Sequence, residues 1–117
     1  MAPPDGPYVI LGQPNLDPED GDGRPETLRA LLGGGRVQDA LPRGQSGHVD
    51  PGHRGDPALD TMRLKDGSGL RLDMILPQAG LRVTDAGVLW PAPGDALAPV
   101  MEAASDHRAV WVTIDLP

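Results

Sequence analysis

Short apolar runs separated by long polar stretches form the pattern of this chain. Tyr8–Leu11 is a continuous apolar run that ends at Gly12, which predicts a buried strand leading into a turn. Three later segments also have the pattern of strands: Leu70–Leu76, stopped by Pro77; Leu81–Trp90, with a bulge at Gly87; and Arg108–Leu116, with alternating apolar residues.

Two further stretches have the pattern of helices. Pro25 begins the first, and Leu28, Leu31 and Leu32 lie on one face of it before a run of glycines ends it. Ala96–Ala104 predicts a second, short helix.

The order of these elements predicts a single α/β domain over residues 1–117, in which residues 42–69 form an irregular exposed loop. The predicted strands carry apolar residues on both faces, and such sheets are usually covered on both sides. Two short helices can cover only one face. We therefore expect one mixed, largely antiparallel sheet with helices on one face and an exposed second face that favours self-association or a partner.

Composition narrows these expectations. The 117 residues include 16 glycines and 14 prolines, which indicates a loop-rich fold. A formal net charge of −7 excludes a basic footprint for phosphate backbones on this chain alone. Cysteine is absent, which excludes disulfides and thiolate metal sites. No apolar stretch has the length of a membrane helix, and Met1–Asp5 does not have the pattern of a secretory signal.

Three polar segments at the ends of predicted strands, or within them, are candidates for chemistry. Asp106 and His107 precede the last strand, where a polar turn is the alternative interpretation. Asp73 interrupts an apolar strand, so it is either a solvated edge residue or paired with Arg71 or with an imidazole on an adjacent strand. Asn15 follows the first strand, where an amide can donate to a phosphoryl oxygen or simply form a turn.

Together these segments resemble the late motifs of the endonuclease/exonuclease/phosphatase (DNase I-like) family. The resemblance rests on Val9–Asn15, Leu70–Leu76 and Ser105–His107 in that order. Gly80–Gly87 and Leu89–Asp95 also resemble bacterial members of the family. The order and spacing are similar to the C-terminal half of that domain. The resemblance therefore implies half of a four-layer α/β sandwich.

The resemblance also implies site roles. His107 would contact the scissile phosphate and Asp73 would orient it, while Asn15 would position the phosphate or the attacking water. Asp106 would bind a divalent cation, Mg²⁺ or Mn²⁺. The implied substrate is a phosphate ester, nucleic acid among the options. The resemblance implies an N-terminal half of the domain as the partner, while the exposed sheet face predicts self-association with a second copy of this chain.

Two departures from the family pattern bear on activity. Gln13 stands where the family has an Asp that orients or deprotonates water, and an amide cannot accept that proton. The family's main metal-binding Glu belongs to the N-terminal half, and no segment of this chain replaces it. We expect either a member of this metal-dependent phosphoesterase family that is inactive alone, or a non-catalytic homologue that acts as a binding module.

Other polar clusters are given simpler interpretations. The acidic loop that begins at Asp17 departs from the EF-hand pattern, because Asp22 stands at the sixth position and Leu28 at the twelfth, and it is interpreted as a solvated turn. His48 and His53 have no standard metal-ligand spacing and are assigned to the exposed loop.

Overall fold

The computed structural model describes residues 5–117, in which short helices and antiparallel strand pairs alternate. Two α-helices and six strands are present in this range. They are β1 (Val9–Gly12), α1 (Glu26–Gly33), β2 (Met62–Arg63), β3 (Gly69–Leu70), β4 (Met74–Pro77), β5 (Arg82–Val88), α2 (Ala98–Ala104) and β6 (Val110–Asp115). A 3-10 turn at Pro57–Leu59 precedes β2.

The strands form three separate two-stranded antiparallel sheets, β1–β4, β2–β3 and β5–β6. In the first, Val9 lies opposite Pro77 and Gly12 opposite Met74. The fold therefore mixes helices with antiparallel sheet, as the α/β prediction required. The prediction of a single mixed sheet was wrong, and the four-layer sandwich stays a prediction.

The predicted strand Leu70–Leu76 is divided in two, because side chains replace its ladder partners in the middle. The Arg71 amide donates to Asp17 Oδ2 at 2.6 Å. The Leu72 and Asp73 amides both donate to Thr61 Oγ1, at 3.0 and 3.1 Å. Residues 71–73 thus have their N–H groups satisfied without a neighbouring strand.

Two further predictions about the strands were wrong in detail. The strand β1 was expected to be buried, yet Leu11 is 70% exposed. The bulge lies between Val83 and Asp85 rather than at Gly87. Gly87 has a different reason to lack a side chain, since the Trp111 indole lies over its α-carbon.

The main apolar cluster joins α1 to β4. Its buried members are Leu28, Val37, Met74 and Leu76, with Tyr8, Leu16 and Leu32 packed around them. Strand β6, paired with β5, keeps the alternation expected of it, with alternate side chains half-buried and exposed. Within residues 5–117, no helix is long and apolar enough to cross a membrane.

Residues 42–69 lack long regular elements, as predicted, but several of their side chains are buried. His53 is 3% exposed and Asp60 is 1% exposed in their side chains. Thr61 is equally buried. The expectation of an exposed loop was wrong here because these polar groups satisfy one another, which removes the cost of taking them out of water.

Candidate functional site

His107 and Asp73 form a hydrogen-bonded pair where three segments meet. His107 lies between α2 and β6 and forms an isolated antiparallel bridge with Met62 of β2. Asp73 immediately precedes β4. The distance from His107 Nδ1 to Asp73 Oδ2 is 2.8 Å. An ionised carboxylate can only accept, so Nδ1 carries the proton, and the neutral ring then has a free lone pair on Nε2.

The alternative partner for Asp73, Arg71, is engaged elsewhere. Its guanidinium donates two hydrogen bonds of 2.6 Å to the Asp39 carboxylate. Burial raises the pKa of Asp39, but the hydrogen bonds and charge of Arg71 outweigh this, and the pKa of Asp39 lies below its ordinary value. Arg71 is therefore a structural cation, and the imidazole is the partner of Asp73.

Thr61 holds the other side of the pair. Its hydroxyl donates to Asp73 Oδ2 at 2.7 Å, the same oxygen that accepts from His107. Its carbonyl accepts from the Arg108 amide at 2.7 Å. Thr61 thus contacts the segments that carry both members of the pair.

Gln13 approaches His107 from the end of β1. Its amide nitrogen is 3.0 Å from His107 Nε2 and 3.4 Å from Nδ1. The Nε2 contact is the hydrogen bond, because Nδ1 already donates to Asp73 and only Nε2 has a lone pair to receive the amide proton. The Gln13 side chain therefore lies beside the imidazole as a hydrogen-bond donor.

The pair is accessible to solvent. The side chain of His107 is 31% exposed and that of Asp73 is 22% exposed. Gln13 also lines an open, mostly apolar cavity of about 310 Å³ with Leu11 and Met74. A small ligand can therefore reach the region of Gln13 without the protein unfolding.

The other two predicted site residues do not join this arrangement through hydrogen bonds. Asn15 is exposed and has a left-handed backbone, φ 56°. Asp106 is exposed, and its carbonyl accepts from the Arg63 amide at 3.2 Å. Within residues 5–117, neither side chain has a hydrogen bond to His107 or Asp73. The structure thus brings together Gln13, Asp73 and His107.

A second, buried polar cluster lies within residues 42–69 and was missed from the sequence. Asp60 bridges two imidazoles, with Oδ1 2.9 Å from His53 Nε2 and Oδ2 2.9 Å from His48 Nε2. His48 Nδ1 contacts Ser46 Oγ at 2.5 Å, and its ring stacks on Trp90 at 4.8 Å. Because Asp60 is shared and His48 is stacked, we assign this chain of contacts to packing.

Both ring nitrogens of His53 face acceptors. Nε2 faces Asp60, and Nδ1 lies 2.8 Å from the Gly55 carbonyl and 2.9 Å from Asp20 Oδ2. Burial lowers the pKa of His53, but the Gly55 carbonyl and the charges of Asp60 and Asp20 outweigh it and raise the pKa. The surroundings of His53 therefore favour its protonated form, because each ring nitrogen has an acceptor.

The carboxylates around His53 shift in opposite directions. Burial raises the pKa of Asp60 above its ordinary value, although His48 and His53 oppose it. Burial also raises the pKa of Asp20, but the amides of Arg54 and Gly55 donate to it and bring the pKa below its ordinary value.

Asp17, Asp20 and His53 also form a possible metal-binding group. Their ligand atoms all lie within 4.8 Å of one another. Protein donors already occupy them, because Asp17 accepts from the amides of Glu19 and Asp20 and Asp20 accepts from those of Arg54 and Gly55. Asp17 and Asp20 belong to the acidic loop and His53 to residues 42–69, and the group does not include Asp106, the metal position that the family resemblance implied.

Hydrophobic periodicity carries no signal for these clusters. The closeness of His48, His53 and Asp60 in the sequence was the one available sign that they could pair. Because the backbone there is irregular, no helix or strand periodicity predicts which of these side chains meet. Comparisons of the chain with protein-family models, curated proteins and solved structures return no match.

Proposed function

We propose that this chain is a phosphate-ester-binding module of the endonuclease/exonuclease/phosphatase type, with His107 as the residue that contacts the phosphate. The observation that carries the proposal is the 2.8 Å contact between His107 Nδ1 and Asp73 Oδ2. It orients the ring and leaves Nε2 directed away from the carboxylate. An imidazole oriented in this way can donate to a phosphoryl oxygen once protonated, or act as a general base when neutral.

The same geometry supports binding more than turnover by this chain alone. Hydrolysis requires a free base that removes a proton from water, and the amide of Gln13 donates to the Nε2 lone pair with which His107 would act as that base. The His–Asp pair alone supplies no second charged group for the transition state. The non-catalytic binding module is therefore the form of the proposal that the described contacts favour.

For the cofactor, we propose Mn²⁺ over Mg²⁺ at Asp17, Asp20 and His53. Imidazole is a common ligand for transition metals, whereas Mg²⁺ prefers oxygen ligands and retains its water. A metal at this group must displace the proton from His53 Nδ1, so binding would be weak and would strengthen as pH rises.

Phosphate binding tests the proposal directly. The probe is inorganic phosphate, titrated into ¹³C- or ¹⁵N-labelled protein while the imidazole resonances are followed. We expect saturable shifts at His107 that are absent from His48 and His53, the matched buried histidines. We expect His107→Ala to abolish binding while the variant stays folded. Saturation of other residues with no change at His107 contradicts the proposal.

Turnover is the second measurement. We expect no hydrolysis of bis-p-nitrophenyl phosphate or p-nitrophenyl phosphate by the chain in Mg²⁺ or Mn²⁺. Hydrolysis that His107→Ala abolishes would contradict the non-catalytic form and support the enzyme. Hydrolysis that survives His107→Ala would indicate a contaminating enzyme or a different site, and would remove the support for His107.

A further inference from the structure

Thr61 lies between the two members of the His107–Asp73 pair and is hydrogen-bonded to the segment of each. Its hydroxyl donates to Asp73 Oδ2 at 2.7 Å. Its carbonyl accepts the Arg108 amide at 2.7 Å, one residue beyond His107. The next residue, Met62, forms the antiparallel bridge with His107.

The hydroxyl of Thr61 also fixes the backbone of Asp73. It accepts from the amides of Leu72 at 3.0 Å and of Asp73 at 3.1 Å. One oxygen atom therefore holds both the main chain and the carboxylate of Asp73. Since Thr61 is almost fully buried, water cannot readily replace these bonds.

Asp73 Oδ2 receives two donors, Thr61 Oγ1 and His107 Nδ1. A carboxylate free to rotate could offer either oxygen, or could leave the imidazole. Two donors on one oxygen define its position, and this determines which tautomer of His107 is favoured.

We infer that Thr61 is a positioning residue for the His107–Asp73 pair, acting through Asp73 to hold His107 as the Nδ1–H tautomer. The functional meaning of this role rests on the proposed phosphate site, but the tautomer itself does not. Thr61 lies in the segment that the sequence assigned to an exposed loop, and nothing in the local pattern marks it.

The test measures the tautomer of His107 by long-range ¹H–¹⁵N correlation of the imidazole rings at about pH 8.5, where an ordinary histidine is neutral. We expect predominantly Nδ1–H in the unmodified protein. Thr61→Val keeps the branched shape but removes the hydroxyl, and we expect the ratio of Nδ1–H to Nε2–H to fall about fivefold, as for loss of one hydrogen bond. Thr61→Ser is expected to restore the ratio.

Thr84→Val is the matched control, because Thr84 is an exposed threonine on β5 whose hydroxyl donates only to the Thr113 carbonyl at 3.4 Å. It is expected to leave the ratio unchanged. An unchanged ratio in folded Thr61→Val, or a Thr61→Ser variant that behaves like Thr61→Val, overturns the inference.

Thr61→Val leaves two buried amides without their acceptor, and this loss can prevent folding. A measurement on the unmodified protein therefore accompanies it. A hydroxyl proton held between Thr61 and Asp73 exchanges slowly with water and gives a nuclear Overhauser effect to the His107 Nδ1 proton. A rapidly exchanging hydroxyl with no such effect overturns the inference without any variant.

The two proposals fail separately. If the tautomer depends on Thr61 but phosphate does not perturb His107, the positioning role stands and the phosphate site is rejected. If phosphate binds at His107 but Thr61→Val leaves the tautomer unchanged, the phosphate site stands and the positioning role is rejected.

Discussion

Replacing His53 with alanine is the perturbation for which the structure gives the clearest expected magnitude. His53 is 3% exposed, and both of its ring nitrogens contact acceptors. Its removal leaves one oxygen of the buried Asp60 carboxylate without a donor. Breaking a buried ion pair by removing one partner costs about 3–5 kcal/mol.

The lower end of that range applies, because His48 still donates to the other oxygen of Asp60. We therefore expect His53→Ala to lower the free energy of unfolding by about 3 kcal/mol, against a total of roughly 5–15 kcal/mol for a domain. In urea this corresponds to a fall in the midpoint on the order of 1–3 M.

The cost depends on pH in a defined direction. The pKa of folded His53 lies above its ordinary value of 6.5. Its charge therefore adds stability that is fully present below pH 6.5 and is lost as pH rises through the folded pKa. The difference in stability between the unmodified protein and His53→Ala should be larger at about pH 6 than at about pH 9.

Urea unfolding followed by circular dichroism at both pH values measures this difference. His107→Ala is the control, since His107 is partly exposed and its removal is expected to cost much less. The reasoning is refuted by a loss below about 1 kcal/mol at pH 6 or by a difference that grows as pH rises.

Two further predictions concern packing and association. Gly69→Ala places a methyl group against the Asp60 carboxylate, so we expect it to lower the free energy of unfolding by about 1–3 kcal/mol in the same urea assay. Gly33→Ala, at the end of α1, is the control, because its methyl group meets no atom within 4 Å and should be neutral or stabilising. The reverse order would contradict the packing described around Asp60. We also expect the chain to self-associate through the exposed face of β1, and sedimentation velocity should show that Leu11→Glu weakens association while Val49→Glu, at a similarly exposed loop position, does not. Equal behaviour of the two variants would exclude β1 as the interface.

The sequence predicted those helices and strands whose apolar residues recur with a regular spacing. The alternation in β6 and the leucine spacing of α1 located both elements to within a few residues. Asp73 was identified as a candidate because it interrupts an apolar strand, and His107 because it lies with Asp106 just before the last strand. Their contact across the fold is observed in the structure.

What the sequence did not reveal depended on side chains that replace backbone partners. Asp17 and Thr61 supply acceptors to residues 71–73, and this divides a segment that reads as one continuous strand. His53 and Asp60 are buried with a hydrogen bond between them, whereas composition alone favours exposure for both. These outcomes depend on three-dimensional neighbours that no local pattern specifies.

The attachment of β1 has a consequence for how the region around His107 responds to thermal motion. Among residues 5–117, β1 pairs only with β4, and its outer side chains face solvent. A strand with one neighbour and little cover can detach while the rest of the chain stays folded. Gln13 directly follows this strand, whereas Asp73 and Thr61 are held by hydrogen bonds to each other. Brief unpairing of β1 would therefore withdraw the amide and uncover Nε2 of His107, with the imidazole already oriented.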